Sequence, residues 1–293
     1  MSDIVLIPTH ERPEFLWITL EAIAAASHLD GKEFWIMEDS HIDQPKPQQL
    51  VDEIATTVEH AKNMLPDVQH FVTTPHSHVG SSFNVLQAFK MACHSLPDTP
   101  DLIYFIEDDV IVTPDFFRFC EAAQDLWDPF ATGPNCSPVS KTQEDPSLCE
   151  ISSTWMQTFA MSFQRERLQD LLLPEYEDYK IMANAGWYEW DEWMCKAMFR
   201  EKQYIVNPVA SRGFHFGVYS YHTGKPLEGS LAERIAQTRA IVANPSAAGV
   251  NASRDIKERI PTSPYAWSKL RKHGWRSVFP NRGPRKSQVE SNQ

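Results

Sequence analysis

Asp101-Leu-Ile-Tyr-Phe-Ile-Glu107-Asp108-Asp109-Val-Ile-Val112-Thr-Pro114-Asp-Phe-Phe117 joins a run apolar enough for a buried strand to three consecutive acids. Clustered carboxylates repel one another and desolvate badly. Three of them in a core segment cost folding energy unless they stand at a strand end and hold something positive. A divalent cation meets that need, since hard oxygen ligands suit magnesium or manganese, the more so when substrate phosphates complete the shell. A solvated acidic turn following a core strand is the other reading of the same letters.

Outward from this stretch, strand and helix patterns alternate. Ile4–Pro8, Glu33–Met37, Val68–Thr73 and Leu102–Ile106 read as strands, and Glu14–Ala26, Gln49–Met64, Ser81–Ser95 and Phe116–Trp127 as helices. Such alternation predicts an α/β fold, a mostly parallel sheet with helices on both faces. Sheets of this kind bind ligands outside the carboxyl ends of their strands. Each of those ends is polar here (Thr9–Arg12, Glu38–His41, His76–Ser82, Glu107–Asp109), so all four would line one edge, where a nucleotide belongs. The second half is less regular. Gly133–Glu150 reads as loop, Thr154–Phe163 as a strand, Gln164–Leu173 as a short helix and Tyr204–Val206 as a strand. An aromatic, acidic segment from Ala185 to Trp193 runs into a helix ending near Phe199, and Arg212–Gly224 is a glycine-punctuated aromatic loop.

Bulk properties narrow the class. A chain of 293 residues with 42% hydrophobic and 23% charged residues is ordinary for a globular protein of one or two domains. No run reaches membrane-spanning length, and Met1-Ser-Asp-Ile-Val-Leu enters a strand-like run without a basic leader. The expectation is a soluble, cytoplasmic protein, complete as it stands. Five widely spaced cysteines without a C-x-x-C speak against a structural zinc site or a disulfide framework. A net charge of −12 argues against the whole surface serving nucleic acid. The exception is Lys269–Lys286, where Lys269, Arg271, Lys272, Arg276, Arg282, Arg285 and Lys286 occur with no acid among them. That tail reads either as a solvated terminus or as a phosphate-contacting segment.

With these elements in order, the chain resembles the GT-A (Rossmann-like) glycosyltransferases, most of all the N-acetylglucosaminyltransferase I type, with family 2-like features at the start. Ile4-Val-Leu-Ile-Pro-Thr-His-Glu-Arg-Pro13 is similar to the opening strand and turn. Phe105–Phe117 resembles that family's E-D-D-x-x-x-x-P-D-F-F, and Trp190-Asp-Glu-Trp-Met194 its W-D-D-W-M. Pro208-Val-Ala-Ser-Arg212, Phe216-Gly217, His222 and Gly224 resemble the downstream P-x-x-S-R and F-G stretch.

The resemblance implies a metal-dependent, inverting transferase that moves a sugar from a nucleotide sugar, expected to be a UDP-sugar, to an acceptor hydroxyl. It implies a single domain with a donor half (1–130), an acceptor half (131–225) and a C-terminal helical extension with the basic tail (226–293). It makes Asp109 the direct metal ligand and gives Glu107 and Asp108 to the sugar, the ribose or metal-bound water. His222, with His215 as the other candidate, would add a ligand and tilt the choice between Mn2+ and Mg2+ to Mn2+. Pro8, Thr9 and Arg12 would line the nucleotide site, with Arg12 on the diphosphate, Asp39 on the base, and Asn84 near the place of a base-contacting histidine. Arg212 would serve the same site. The catalytic base maps to Glu192, with Asp191 as the alternative, shielded by Trp187, Trp190 and Trp193. The acceptor is expected to be a cytosolic glycan, a small molecule, a protein, or a hydroxymethylated DNA base approached with the tail's help. A nucleotidyltransferase acting on sugar phosphates and a non-catalytic nucleotide-sugar binder are the competing readings.

Overall fold

A computed structural model describes residues 3–39, 45–73, 81–95, 102–134, 148–152, 158–176, 190–208, 210–217, 227–243 and 271–275. The first half runs β1 (Asp3–Thr9), α1 (Pro13–Ala24), β2 (Lys32–Asp39), α2 (Gln48–Met64), β3 (Val68–Thr73), α3 (Ser81–His94) and β4 (Leu102–Ile106). A short β5 (Val110–Val112) and α4 (Phe116–Trp127) follow the acids. The second half contributes β6 (Ala131–Thr132), β7 (Leu148–Ser152), β8 (Ala160–Gln164), α5 (Arg165–Leu172), α6 (Trp190–Arg200), β9 (Ile205–Pro208), β10 (Gly213–His215), α7 (Leu231–Ala243) and β11 (Arg271–Trp275).

The near-continuous apolar strands follow from burial on both faces. Along β1, Ile4 and Leu6 enter one core layer and Val5 and Ile7 the other; along β4, Ile103 and Phe105 oppose Tyr104 and Ile106 in the same way. Leucines and aromatics of α3, α5 and α6 cover the first face, while α1, α2 and α4 cover the second.

Among the described residues, nine strands form one sheet in the order β11-β7-β9-β6-β8-β4-β1-β2-β3, so strands from both halves of the chain share it. The β4-β1-β2-β3 portion is parallel, and β8 turns the sheet mixed by pairing antiparallel with β4 and β6. From β1 the chain winds outward through β2 to β3, then returns to place β4 on the other side of β1. This reversal makes the carboxyl ends of β1 and β4 a topological switch point, where the two connections diverge and leave a crevice. The acids follow β4 at that crevice.

Three features depart from the sequence reading. The 154–163 strand is shorter, Ala160–Gln164 among the described residues. Residues 148–150, placed at the end of a loop, belong to β7 (Leu148–Ser152). Arg271–Trp275 of the basic tail is β11, an edge strand parallel to β7, where main-chain pairing rather than side-chain pattern makes the element. No helix among the described residues is long and apolar enough to cross a membrane. Cys93, Cys120, Cys149 and Cys195 are free thiols.

Candidate active site

The acidic turn is moulded on the β1–α1 segment. Thr9, at the end of β1, donates its hydroxyl to Asp108 Oδ2 at 2.8 Å. Thr19, fully buried on α1, donates to the Asp108 carbonyl at 2.8 Å and accepts from the Val110 N–H at 3.1 Å. Arg12 forks across the pair, with Nη2 on Asp108 Oδ1 and Nη1 on Asp109 Oδ2 at 2.7 Å. Both carboxylate oxygens and the carbonyl of Asp108 are thereby engaged, and the residue is 2% exposed.

A second segment closes on the turn from the far end of the chain. The strand β10 pairs antiparallel with β5, His215 opposite Val110, and the Phe216 N–H donates to the Asp109 carbonyl at 2.9 Å. His215 Nε2 lies 3.2 Å from Asp109 Oδ1, and its ring stacks on Phe159 with centroids 4.2 Å apart. Phe214 and Phe216 pack with Phe15 and Ile18 of α1 and Ile235 of α7. Arg234 of α7 ties that helix to Glu14 at 3.2 Å and to Glu53. Helix α7 therefore backs the segment that carries His215.

Gly217 shows how tightly the segment closes. A Cβ at this position would meet Asp109 Oδ2 at 1.9 Å and its Cγ at 2.5 Å, although the backbone is not in the left-handed region. Gly217→Ala should leave the fold intact and push the Asp109 carboxylate out of place. Where that carboxylate holds a divalent ion, the expected result is at least about a tenfold loss of Mn2+ affinity in the presence of UDP, roughly 1.4 kcal/mol by calorimetry, with an unchanged circular dichroism spectrum.

Electrostatics divide the three acids. Burial raises Glu107 well above the usual carboxylate range, and repulsion from Asp109, Asp108 and Asp191 adds to it against the pull of Arg12. Burial likewise raises Asp108 against Arg12. Burial would raise Asp109 too, but the His215 contact and the Arg12 charge outweigh it and hold this carboxyl below its ordinary value.

One oxygen each of Glu107 and Asp109 and a ring nitrogen of His215 lie within 4.8 Å of one another, a set able to hold a cation. Ligands about 2.1 Å from a common ion lie about 3.0 to 4.2 Å apart, so side-chain adjustments on the order of an ångström would seat one. Two carboxylates and an imidazole form a donor set that fits a divalent ion of the manganese kind.

Of the other expected residues, the structure brings some to this edge and turns others inward. Asp39 ends β2 at the same edge, 4% exposed, with His10 Nδ1 3.3 Å from its carbonyl. Lys46 lies over this strand end, donating to the Asp39 carbonyl, to the His10 carbonyl at 3.2 Å and to Glu38 at 2.9 Å. Sequence reasoning missed it, because nothing in a proline-rich connector marks a lysine that ends up buried. Pro8 occupies the penultimate place of β1.

Asn84 departs from the base-contacting expectation. It is 2% exposed, its amide donating to the Met37 carbonyl at 2.8 Å and accepting from Thr73 at 2.9 Å, so it ties β2 to β3. Arg212 departs further and has no surface to offer a ligand, being 0% exposed. It pairs with Asp115 at 3.3 Å, donates to the Ala210 carbonyl at 3.1 Å and lies over the Phe119 ring. The P-D-F-F and S-R stretches thus occur together because Asp115 and Arg212 form one buried pair, which fixes β10 beside the acids.

Trp190 and Trp193 are core residues, and Trp190 packs on Phe105 and Phe89, which anchors the start of α6 against β4. Asp191 is half-buried there and close enough to Glu107 to raise it. Glu192 is exposed and reaches Lys196 at 3.2 Å on the solvent side of the helix. Trp187 and His222 lie outside the described residues, as does most of the basic tail.

Among solved structures the chain is similar to residues 1–349 of TarS from S. aureus, at 14% identity and a TM-score of 0.50, covering 83% of this chain and 66% of that one. It is also similar to a longer TarS chain, at 13% identity and a TM-score of 0.51, covering 83% and 40% respectively. The chain thus spans just under two thirds of the first and two fifths of the second. The mannosyltransferase PcManGT from Pyrobaculum calidifontis, solved with GDP-Man and Mn2+, matches at 12% identity over 86% of this chain and 77% of that one. Its TM-score of 0.44 carries nothing about donor or metal here. No family model and no curated protein matches the chain. At such identities the likeness speaks for architecture alone: the chain has the GT-A fold, a mostly parallel mixed sheet flanked by helices.

Proposed function

We propose that the chain is a metal-dependent, inverting glycosyltransferase that takes a nucleotide sugar, a UDP-sugar by its motif likeness to the N-acetylglucosaminyltransferase I type. The observation that carries this reading is the convergence of Glu107, Asp109 and His215 at the switch point of a GT-A sheet. A bound Mn2+ would neutralise the diphosphate as it leaves, acting as a Lewis acid. In this reading Asp109, Glu107 and His215 hold the metal, with His215 in the place the resemblance gave to His222. Asp39 and the strand end gripped by Lys46 face the base. Asp108 acts through Thr9, Thr19 and Arg12 to hold the turn rather than touching ribose.

The base is Asp191. An inverting transfer needs one carboxylate on the acceptor side. Asp191 is half-buried beside Glu107, whereas Glu192 is turned to Lys196 and solvent. Trp190, locked on Phe105, fixes where α6 starts and so where Asp191 stands.

A thermal-shift series of nucleotide sugars with and without Mn2+ tests the reading. A UDP-sugar that raises the melting temperature only with the metal is the expected outcome, and release of UDP on adding a hydroxyl acceptor would follow. Equal shifts with nucleoside triphosphates and no UDP release would favour the nucleotidyltransferase instead.

A further inference from the structure

Arg12 occupies the place a metal needs. Asp109 is 4% exposed; its Oδ2 accepts from Arg12 Nη1 at 2.7 Å, while its Oδ1 lies 3.2 Å from His215 Nε2 without an aligned hydrogen bond. A divalent ion using Asp109 would compete with the guanidinium for the same carboxylate and would sit within a few ångströms of its positive charge, where cations repel strongly at low dielectric. Yet the guanidinium is not sealed in. The Arg12 side chain is 35% exposed against 2% and 5% for its two partners, and its Nη2 contact to Asp108 is independent of the one to Asp109. The planar fork suits phosphate oxygens as well as carboxylates.

We propose that Arg12 is a resident counter-cation that disfavours free metal and gives up Asp109 only to a metal–diphosphate complex. On arrival, a phosphate oxygen replaces Asp109 Oδ2 as the acceptor of Nη1, Asp108 keeps Nη2, and Asp109 turns to the metal. Metal and nucleotide then bind as a unit, because the phosphate charge removes the repulsion between the ion and Arg12. The net charge of the cluster is the same in both states, because the two positive charges of the metal offset the two negative charges of a nucleotide-sugar diphosphate. Arg12 is in this sense a positioning residue that sets the order of binding, and the inference rests on the metal reading given above.

Free Mn2+ measured by electron paramagnetic resonance, with and without UDP, tests it. Wild type should bind Mn2+ weakly alone and much more tightly with UDP. Arg12→Gln should bind Mn2+ alone at least tenfold more tightly than wild type, and the enhancement by UDP should fall at least tenfold, a loss of coupling that reads the same from either ligand. Arg12→Lys, which keeps a charge without the fork, should return Mn2+ affinity towards wild type. A purely structural arginine would weaken Mn2+ binding when removed, so an Arg12→Gln affinity equal to or below wild type overturns the inference. Should Arg12→Gln unfold, the same comparison is made between Asp108→Asn and Asp108→Asn/Arg12→Gln, where removing the arginine strands one buried carboxylate, Asp109, instead of two; no tightening there also overturns it. Wild type that binds Mn2+ with UDP while the variants gain nothing defeats this inference alone. Absence of Mn2+ binding in every protein, with or without UDP, defeats the metal reading as well.

Discussion

Asp109→Asn should abolish Mn2+-dependent nucleotide-sugar binding and lower transfer by at least about a thousandfold, roughly 4 kcal/mol of transition-state stabilisation. The amide keeps the shape of the side chain but has one neutral oxygen in place of two charged ones. It can still accept from Arg12 or His215, while its power to hold a divalent ion beside Glu107 is gone. Asp108 retains Thr9, Thr19 and the second Arg12 nitrogen, so the turn and the fold should survive. Calorimetry with Mn2+ and a UDP-sugar, alongside a melting curve in a chelator, separates the two effects. Retained metal-dependent binding would remove Asp109 from the site.

The second large effect concerns two neighbouring acids. Asp191→Asn should bind the donor normally and lose about 10²- to 10⁴-fold in transfer rate, the range of a positioned general base. Glu192→Gln should change transfer less than about threefold, since it removes only an exposed pair with Lys196 that contributes little. The difference comes from helix geometry. Consecutive residues on α6 point about 100° apart, so Asp191 and Glu192 flank the buried Trp190–Trp193 face on opposite sides, and it is Asp191 whose charge reaches Glu107 at the β4 end. Single-turnover transfer at saturating donor reads the chemical step. The reverse pattern, with Glu192→Gln inactive and Asp191→Asn active, would return the base to the residue chosen by motif likeness.

Much of the fold was legible because burial on two faces writes itself locally. Val68–Thr73, Leu102–Ile106 and Phe116–Trp127 emerge with the bounds read from the letters, since apolar runs, turn residues and helical period are properties of neighbouring positions. The short β5 and β10 were not legible. Each has three residues, too few for a period, and each exists because the other pairs with it. The edge strand β11 was hidden for the same reason, within a segment whose basic composition suggested a solvated tail.

The candidate site divides along the same line. Sequence alone determined that three acids follow a buried strand and that such a cluster, once buried, needs a positive partner, because the desolvation cost belongs to the residues themselves. Only the tertiary structure decided which partner each acid has. Arg12 lies 97 positions from Asp109, and Arg212 the same number from Asp115; no local pattern carries a contact across such a span. Arg212 and Asn84 looked like ligand contacts by motif and are held inside, one paired under β10 and the other bridging β2 and β3. Lys46 looked like part of a linker and lies buried over a strand end. A residue's chemistry is fixed by its letter, but whether that chemistry faces a ligand depends on which distant element has packed against it.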